Sequence, residues 1–251
     1  MFGLANRRPQ FDVSSRASPS ETLVVGFSEF GLAGLTAVDY LVTHLDLEQV
    51  GHIRVDELPT ITPFADGKPR HHTRLYNLTD VDATVLVGEL FVPVPAARAF
   101  AEALAEGIET NRIEEVALLH GVPFPHGPDE HATFYVATEP YRETRLEGTD
   151  LQPLKGGFLD GVAGELVSAG MDGTIPPTGV YVTPTHPPGP DIDAAVRFLD
   201  SIERAYGVDV DRDELERRSE EIKQYYAGLA DRMAAFEAEA TQEYPEDRMF
   251  M

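Results

Sequence analysis

The sequence predicts an α/β domain: a largely parallel sheet covered by helices on both faces, followed by one long helix. Three observations carry that expectation. Residues 22–45 (TLVVGFSEFGLAGLTAVDYLVTHL) run from an apolar, β-branched stretch through a glycine turn into an apolar pattern at helical spacing. Apolar runs and helically spaced stretches then alternate along the chain, the pattern of strands joined by crossover helices. From position 212 onward, apolar residues recur every seven.

A chain of 251 residues buries roughly 70–75% of its unfolded surface and needs no disulfide or metal to hold it. It has no cysteine, which removes disulfides, thiolate metal sites and a cysteine nucleophile together. No apolar run approaches the roughly 18 residues of a membrane span, and the first 21 residues lack the apolar core of a signal peptide. A soluble, cytoplasmic protein is expected. The formal net charge is −23, and Lys68, Lys155 and Lys223 are the only lysines. Such a surplus repels nucleic acid and acidic membranes, so neither is expected as a partner. Its spread along the chain, with arginine in place of lysine, suggests adaptation to high salt, where the Debye length falls to about 3 Å and binding must rest on burial and close contact.

Taken in order, residues 1–20 are polar and without period, and are read as a mobile arm. After the opening strand and helix, 52–55 reads as a short strand and 60–70 as turns. Residues 71–78 (HHTRLYNL) read as an edge strand, 83–87 (ATVLV) as a buried strand, and 93–110 as a helix with Val94, Ala97, Phe100, Ala101 and Leu104 on one face. Strands follow at 116–119 and 133–137, separated by a proline and glycine loop. Residues 157–170 read as a glycine-rich helix, 179–183 as a strand and 191–206 as a helix with Asp191 and Asp193 at its N-terminus. These elements define a core domain over 21–208. The helix of 209–240 carries Leu215, Ile222, Leu229 and Phe236 at heptad spacing, interleaved with Tyr226, Met233 and Ala240. A helix from 212 to 240 spans roughly 43 Å. Its seam either docks on the chain's own sheet or pairs between subunits. Residues 241–251 are a flexible tail with an apolar end.

Three places invite chemistry. The first is the turn Gly26, Gly31, Gly34. A dinucleotide fingerprint requires G-x-G-x-x-G and a P-loop requires G-K-[S/T]; the spacing fits neither, although Asp56 follows the next strand where a ribose-binding acid would sit. Ser28 stands where a nucleophile elbow holds its serine, but Phe30 replaces the second glycine of G-x-S-x-G. The favoured reading is a tight strand-to-helix turn in which Gly34 lets helix and sheet approach. The second place is the loop with His120, His126, Asp129, Glu130 and His131, after a strand, where α/β sheets keep their ligand crevice. Three imidazoles and two carboxylates suit a metal, yet no helical pair such as H-E-x-x-H is present, so no metal site is assigned and His120, His126 and His131 stand as the alternative. His186 joins them only if the loops converge. The third is Met249-Phe250-Met251. An apolar end on an acidic tail is poorly explained by folding. Burying Met249 and Phe250 in a partner yields about 1.5–3 kcal/mol each, and a terminal carboxylate adds a charge-assisted bond of about 1.5–3 kcal/mol. A ring of such tails gains a further 10² to 10⁴ in avidity, roughly.

The turn GFSEFGLAGLTAVDYL, the strand and loop VALLHGVP, the segment GFLDGVAGELV and the loop YVTPTHPPGPD together resemble the proteasome assembly chaperone 2 family in its archaeal, haloarchaeal-like form, over about residues 22–226. That resemblance implies a three-layer α/β/α body like that of nucleoside phosphorylases, no catalytic set, no cofactor, and homo-oligomers. The last three residues resemble the "hydrophobic, tyrosine, any residue" tail that docks between α-subunits of the proteasome core particle. By that resemblance Met249 is the hydrophobic residue, Phe250 the aromatic one and the Met251 carboxylate the partner of a pocket lysine; phenylalanine keeps the ring and loses the hydroxyl. The expected function is a non-enzymatic proteasome assembly chaperone or proteasome-binding adaptor. The alternative is a phosphorylase-like or metal-dependent enzyme using the glycine turn and the histidine loop.

Overall fold

The first described element is strand β1 (Gln10–Ser15), followed by β2 (Thr22–Phe27), a 3₁₀ turn (Phe30–Leu32), α1 (Ala33–His44) and β3 (Leu47–Asp56). A two-residue hairpin, β4 (Phe64–Ala65) and β5 (Lys68–Pro69), turns through Asp66 and Gly67, both at positive φ (49° and 73°), as a primed turn requires. Strands β6 (Thr73–Leu78) and β7 (Ala83–Gly88) precede α2 (Val94–Thr110), β8 (Glu115–Val122) and β9 (Phe134–Ala137). A short helix α3 (Glu139–Tyr141) runs into one π turn (Arg142–Leu146), followed by β10 (Gln152–Pro153), α4 (Gly161–Met171), β11 (Thr178–Pro184) and α5 (Ile192–Tyr206). The last described elements are α6 (Asp213–Arg217) and α7 (Ser219–Glu243). The structure is a computed structural model that describes residues 9–15, 19–45, 47–56, 58, 60–78, 82–123, 126–127, 130–186, 189–208, 210–217 and 219–243, with α7 side chains as far as position 235 apart from 230 and 233.

Among the described residues, nine strands form one sheet in the order β1-β3-β6-β7-β2-β8-β11-β9-β10. Its centre is parallel: β2 pairs with both β7 and β8, and β8 with β11. On one side β7-β6, β6-β3 and β3-β1 are antiparallel, and on the other β11-β9 is antiparallel. The sheet is therefore mixed around a parallel core. Only four positions separate β6 from β7, too few for the crossover that a parallel pair requires.

Central strands alternate between two apolar clusters. Val24, Val85, Ala117, Leu119 and Tyr181 face α1 and α5, while Leu23, Val25, Leu86, Leu118 and Val180 face α2 and α4. Period-two strands buried on both sides give three layers, as α/β patterning requires.

Three expectations change. The reading of residues 1–20 as a mobile arm fails over Gln10–Ser15, which form the outermost strand; Phe11 and Val13 lie two apart and pack toward α2, the Phe11 ring edge-on to Phe100 at 4.9 Å. With β1 and β3 outside it, β6 is an interior strand and not an edge. The helix expected over 209–240 starts at Asp213, because Gly207 caps α5 at φ 69° and Val208 and Val210 are buried before the next helix begins. Asp211 Oδ1 then accepts the Asp213 N–H at 3.0 Å. Within the heptad seam, Leu215 and Tyr226 are buried, and Ile222 and Leu229 pack half-buried on the α1/α5 cluster. That half of the seam is satisfied by the chain's own body. Met233, Phe236 and Ala240 lie outside the described side chains.

Candidate functional site

Parallel strands of one sheet end on the same side, and the connections leaving β2, β7 and β8, together with the segment from β10 into the start of α4, surround a cleft of about 1500 Å³. Phe30, Phe91, Phe134 and Phe158 make its walls largely apolar, and Glu29, His120, Glu130 and Asp160 supply the acidic and imidazole groups. It lies where α/β sheets keep ligand crevices.

The glycine turn forms one wall, and its packing decides what it can do. A Cβ on Gly26 would fall 2.2 Å from the Gly34 carbonyl oxygen, and one on Gly34 would fall 2.2 Å from that of Leu119. These two glycines let α1 lie directly on β2 and β8. Gly31 has φ 72°, and Thr185 occupies the place its Cβ would take, at 2.6 Å. The same loop closes over the turn: Asp191 N–H donates to Gly31 O at 2.8 Å and Thr185 Oγ1 to Phe30 O at 3.3 Å. A phosphate cradle needs open backbone N–H groups; here the Ser28, Glu29 and Leu32 N–H groups donate to the carbonyls of Gly88, Phe27 and Glu29, and Thr185 and Asp191 of the same chain cover the turn. Leu32, at φ 52°, holds a left-handed conformation costly for a bulky residue.

Ser28 is buried, and its hydroxyl is directed at the carbonyls of Glu89 (2.8 Å) and Gly88 (3.1 Å). It ties β2 to the end of β7, and among the described residues its hydroxyl is bonded to these two carbonyls and not to a base. The group facing the cleft is its neighbour Glu29, whose Oε2 lies 2.5 Å from His120 Nδ1. Burial draws the His120 imidazolium down; the Glu29 charge, the hydrogen bond it accepts and the more distant Asp160 outweigh burial, and the net direction is up. This pair can donate a proton or hold a polar group. Sequence reading passed over Glu29, although it stands in the strand-to-helix turn where chemistry-bearing residues gather.

His120 thus serves the cleft. The imidazoles that converge are His126, His131 and His186, one nitrogen of each lying within 4.8 Å of the others. The loop between β8 and β9 supplies the first two and the loop between β11 and α5 the third. Glu130 Oε2 accepts the Gly127 N–H at 2.8 Å, folding the first loop between its two histidines. His186 is held at Nδ1 by Asp191 Oδ2 at 2.9 Å, and that carboxylate also caps α5 through Ala194 N–H at 3.0 Å. Asp129 lies outside the described residues, as do Met249, Phe250 and Met251.

The PAC2 family model matches residues 23–230, from β2 into α7. The chain belongs to the PAC2 family. Its fold is similar to that of Pyrococcus furiosus PbaA, an archaeal homolog of proteasome-assembly chaperone (TM-score 0.80, 18% identity, 90% of this chain and 99% of that one). It is also similar to a protein of unknown function from Thermoplasma acidophilum (0.77, 22%, 90% and 92%). A third likeness is P. furiosus PbaB, an archaeal proteasome activator (0.70, 16%, 88% and 98%). No curated protein matches the sequence. At these identities the likeness is one of fold. The PAC2 match takes in the glycine turn, the cleft, the histidine loop and the docked part of α7, and stops short of the last three residues.

Proposed function

We propose that this PAC2 chain is a non-enzymatic, homo-oligomeric proteasome-assembly chaperone or proteasome-binding adaptor. The observation that carries the reading is the family match over 23–230, joined to a likeness to PbaA along nearly the whole of both chains; PbaB, described as a proteasome activator, shares the fold. The covered glycine turn and the bonded Ser28 hydroxyl support a role for the body as scaffold. In this reading the bodies assemble, α7 carries the tail outward, and Met249 and Phe250 enter pockets of the core particle's α-ring with the Met251 carboxylate on a pocket lysine. One tail, at about 1.5–3 kcal/mol for each buried side chain, binds weakly against the cost of association. Several on one oligomer bind well.

Recovery of archaeal core particles by immobilised protein, in molar salt, tests this. Wild type should retain them and a chain lacking Met249–Met251 should lose them. Equal recovery by both removes the tail mechanism, and recovery by neither removes the proteasome reading. Solution mass decides the homo-oligomer.

A second reading, a phosphorylase-like small-molecule enzyme, is favoured by one observation, the Glu29–His120 pair in an apolar cleft. It requires thermal stabilisation by nucleosides or phosphate. A flat response across such a panel eliminates it.

A further inference from the structure

We propose that His126, His131 and His186 form a binding site for a zinc-type divalent ion, independent of the proteasome reading. His186 comes 55 positions after His131, yet the fold brings their loops together at the ends of neighbouring parallel strands β8 and β11. The ring centroids lie 4.7, 4.9 and 5.3 Å apart, and the planes are tilted by 53–70°. Imidazoles bound tetrahedrally at about 2.0–2.1 Å put nitrogens roughly 3.3 Å apart and ring centroids roughly 5.2 Å apart. The rings already stand at that spacing. Nitrogens now within 4.8 Å reach bonding distance by small rotations of the rings.

The support behind the ligands points the same way. A carboxylate only accepts, so His186 Nδ1 carries the proton toward Asp191 and Nε2 is left as the coordinating nitrogen. A ligating histidine held by a carboxylate in this way is the usual outer-shell arrangement of metal sites. Asp191 is itself anchored: its side chain is 8% exposed and accepts from the N–H groups of His186 and Ala194. His131 and His186 are exposed, so an ion reaches them from solvent, and a chain of net charge −23 concentrates cations at its surface. Three neutral imidazoles suit zinc and its neighbours better than calcium or magnesium, which favour oxygen. Three protein ligands leave the fourth position to water. The ion would clip the histidine loop to the loop that covers Gly31.

Equilibrium dialysis of the full-length protein against Zn²⁺, with Co²⁺ absorption as a report of coordination number, tests the site. Wild type should bind one equivalent, and Co²⁺ should give a four-coordinate spectrum. His131→Ala and His186→Ala should each weaken binding by about 100-fold or more, and Asp191→Asn, which keeps an oxygen for the α5 cap, by about 10- to 100-fold. His44→Ala, on the end of α1, should bind as wild type does. Both exposed histidines leave the core intact, and far-UV circular dichroism verifies that. Wild type without a saturable equivalent, or binding that survives both His131→Ala and His186→Ala, overturns the site.

Discussion

The guanidinium of Arg74 on β6 is wholly buried and lies 2.5 Å from the carboxylate of Glu89, just past β7. The same carboxylate accepts from Arg70 at 2.9 Å and from the Tyr225 hydroxyl at 3.2 Å, while Tyr226 OH donates to Asp39 on α1 at 2.8 Å. One buried acid therefore joins the sheet to the start of α7. Removing one partner of such a pair leaves an uncompensated buried charge, so Glu89→Ala should cost about 3–5 kcal/mol. Urea unfolding at neutral pH reads this, and a loss below about 1 kcal/mol would show the pair to be solvated.

Two glycines make the same substitution opposite in sign. A Cβ on Gly34 meets the backbone oxygen of Leu119 at 2.2 Å, so Gly34→Ala forces α1 off the sheet and should cost about 3 kcal/mol. Gly228, exposed on α7, has nothing within 4 Å of its added Cβ. Gly228→Ala should stabilise by about 0.5–1 kcal/mol through helix propensity. Thermal melts of the two variants should bracket wild type.

His72 sets an acid limit. Burial, aided by the neighbouring His71 imidazole, pushes its pKa down to about 4 from the ordinary 6.5. The unfolded chain then binds more protons than the native one between about pH 4 and 6.5, so stability is full above 6.5 and is lost as pH falls through that window, by up to about 3 kcal/mol. His72→Asn should flatten the stability profile between pH 4 and 6.5. A variant as acid-sensitive as wild type would assign the loss elsewhere.

His120 works in the other direction. Its pKa is raised against the pull of burial by Glu29, so its contribution is complete below about pH 6.5 and is lost as pH rises through the native value. Glu29→Gln removes the charge and leaves burial in control. NMR titration of the His120 ring should find its midpoint above 6.5 in wild type and below 6.5 in the variant; an unmoved midpoint removes the pairing.

The fold class was legible in particular residues. Leu23 to Val25, the three glycines and the spacing of Leu35, Val38 and Leu41 gave β2, the turn and α1 in their places, and the apolar face of α2 and the span of α5 were equally clear. β1 was not legible, because Phe11 and Val13 are two apolar residues in a polar stretch and become a strand only when β3 offers an edge and α2 an apolar face. β6 was read as an edge; its polar Arg74 and Asn77 are instead answered by Glu89, just past β7, and by Thr84 on β7. The Glu29–His120 pair spans 91 positions, and no local pattern signals it.

Local chemistry by itself determined the alternation of strand and helix, the tight turn at Gly26, Gly31 and Gly34, and the PAC2 resemblance, because periodicity and glycine conformation act over a few residues. Only the tertiary structure decided that the turn is covered by the loop of Thr185 and Asp191, that His186 and not His120 joins His126 and His131, and that α7 begins by docking on its own body. Those outcomes depend on which strand ends the parallel core of the sheet sets side by side, and strand order is a property of the whole chain.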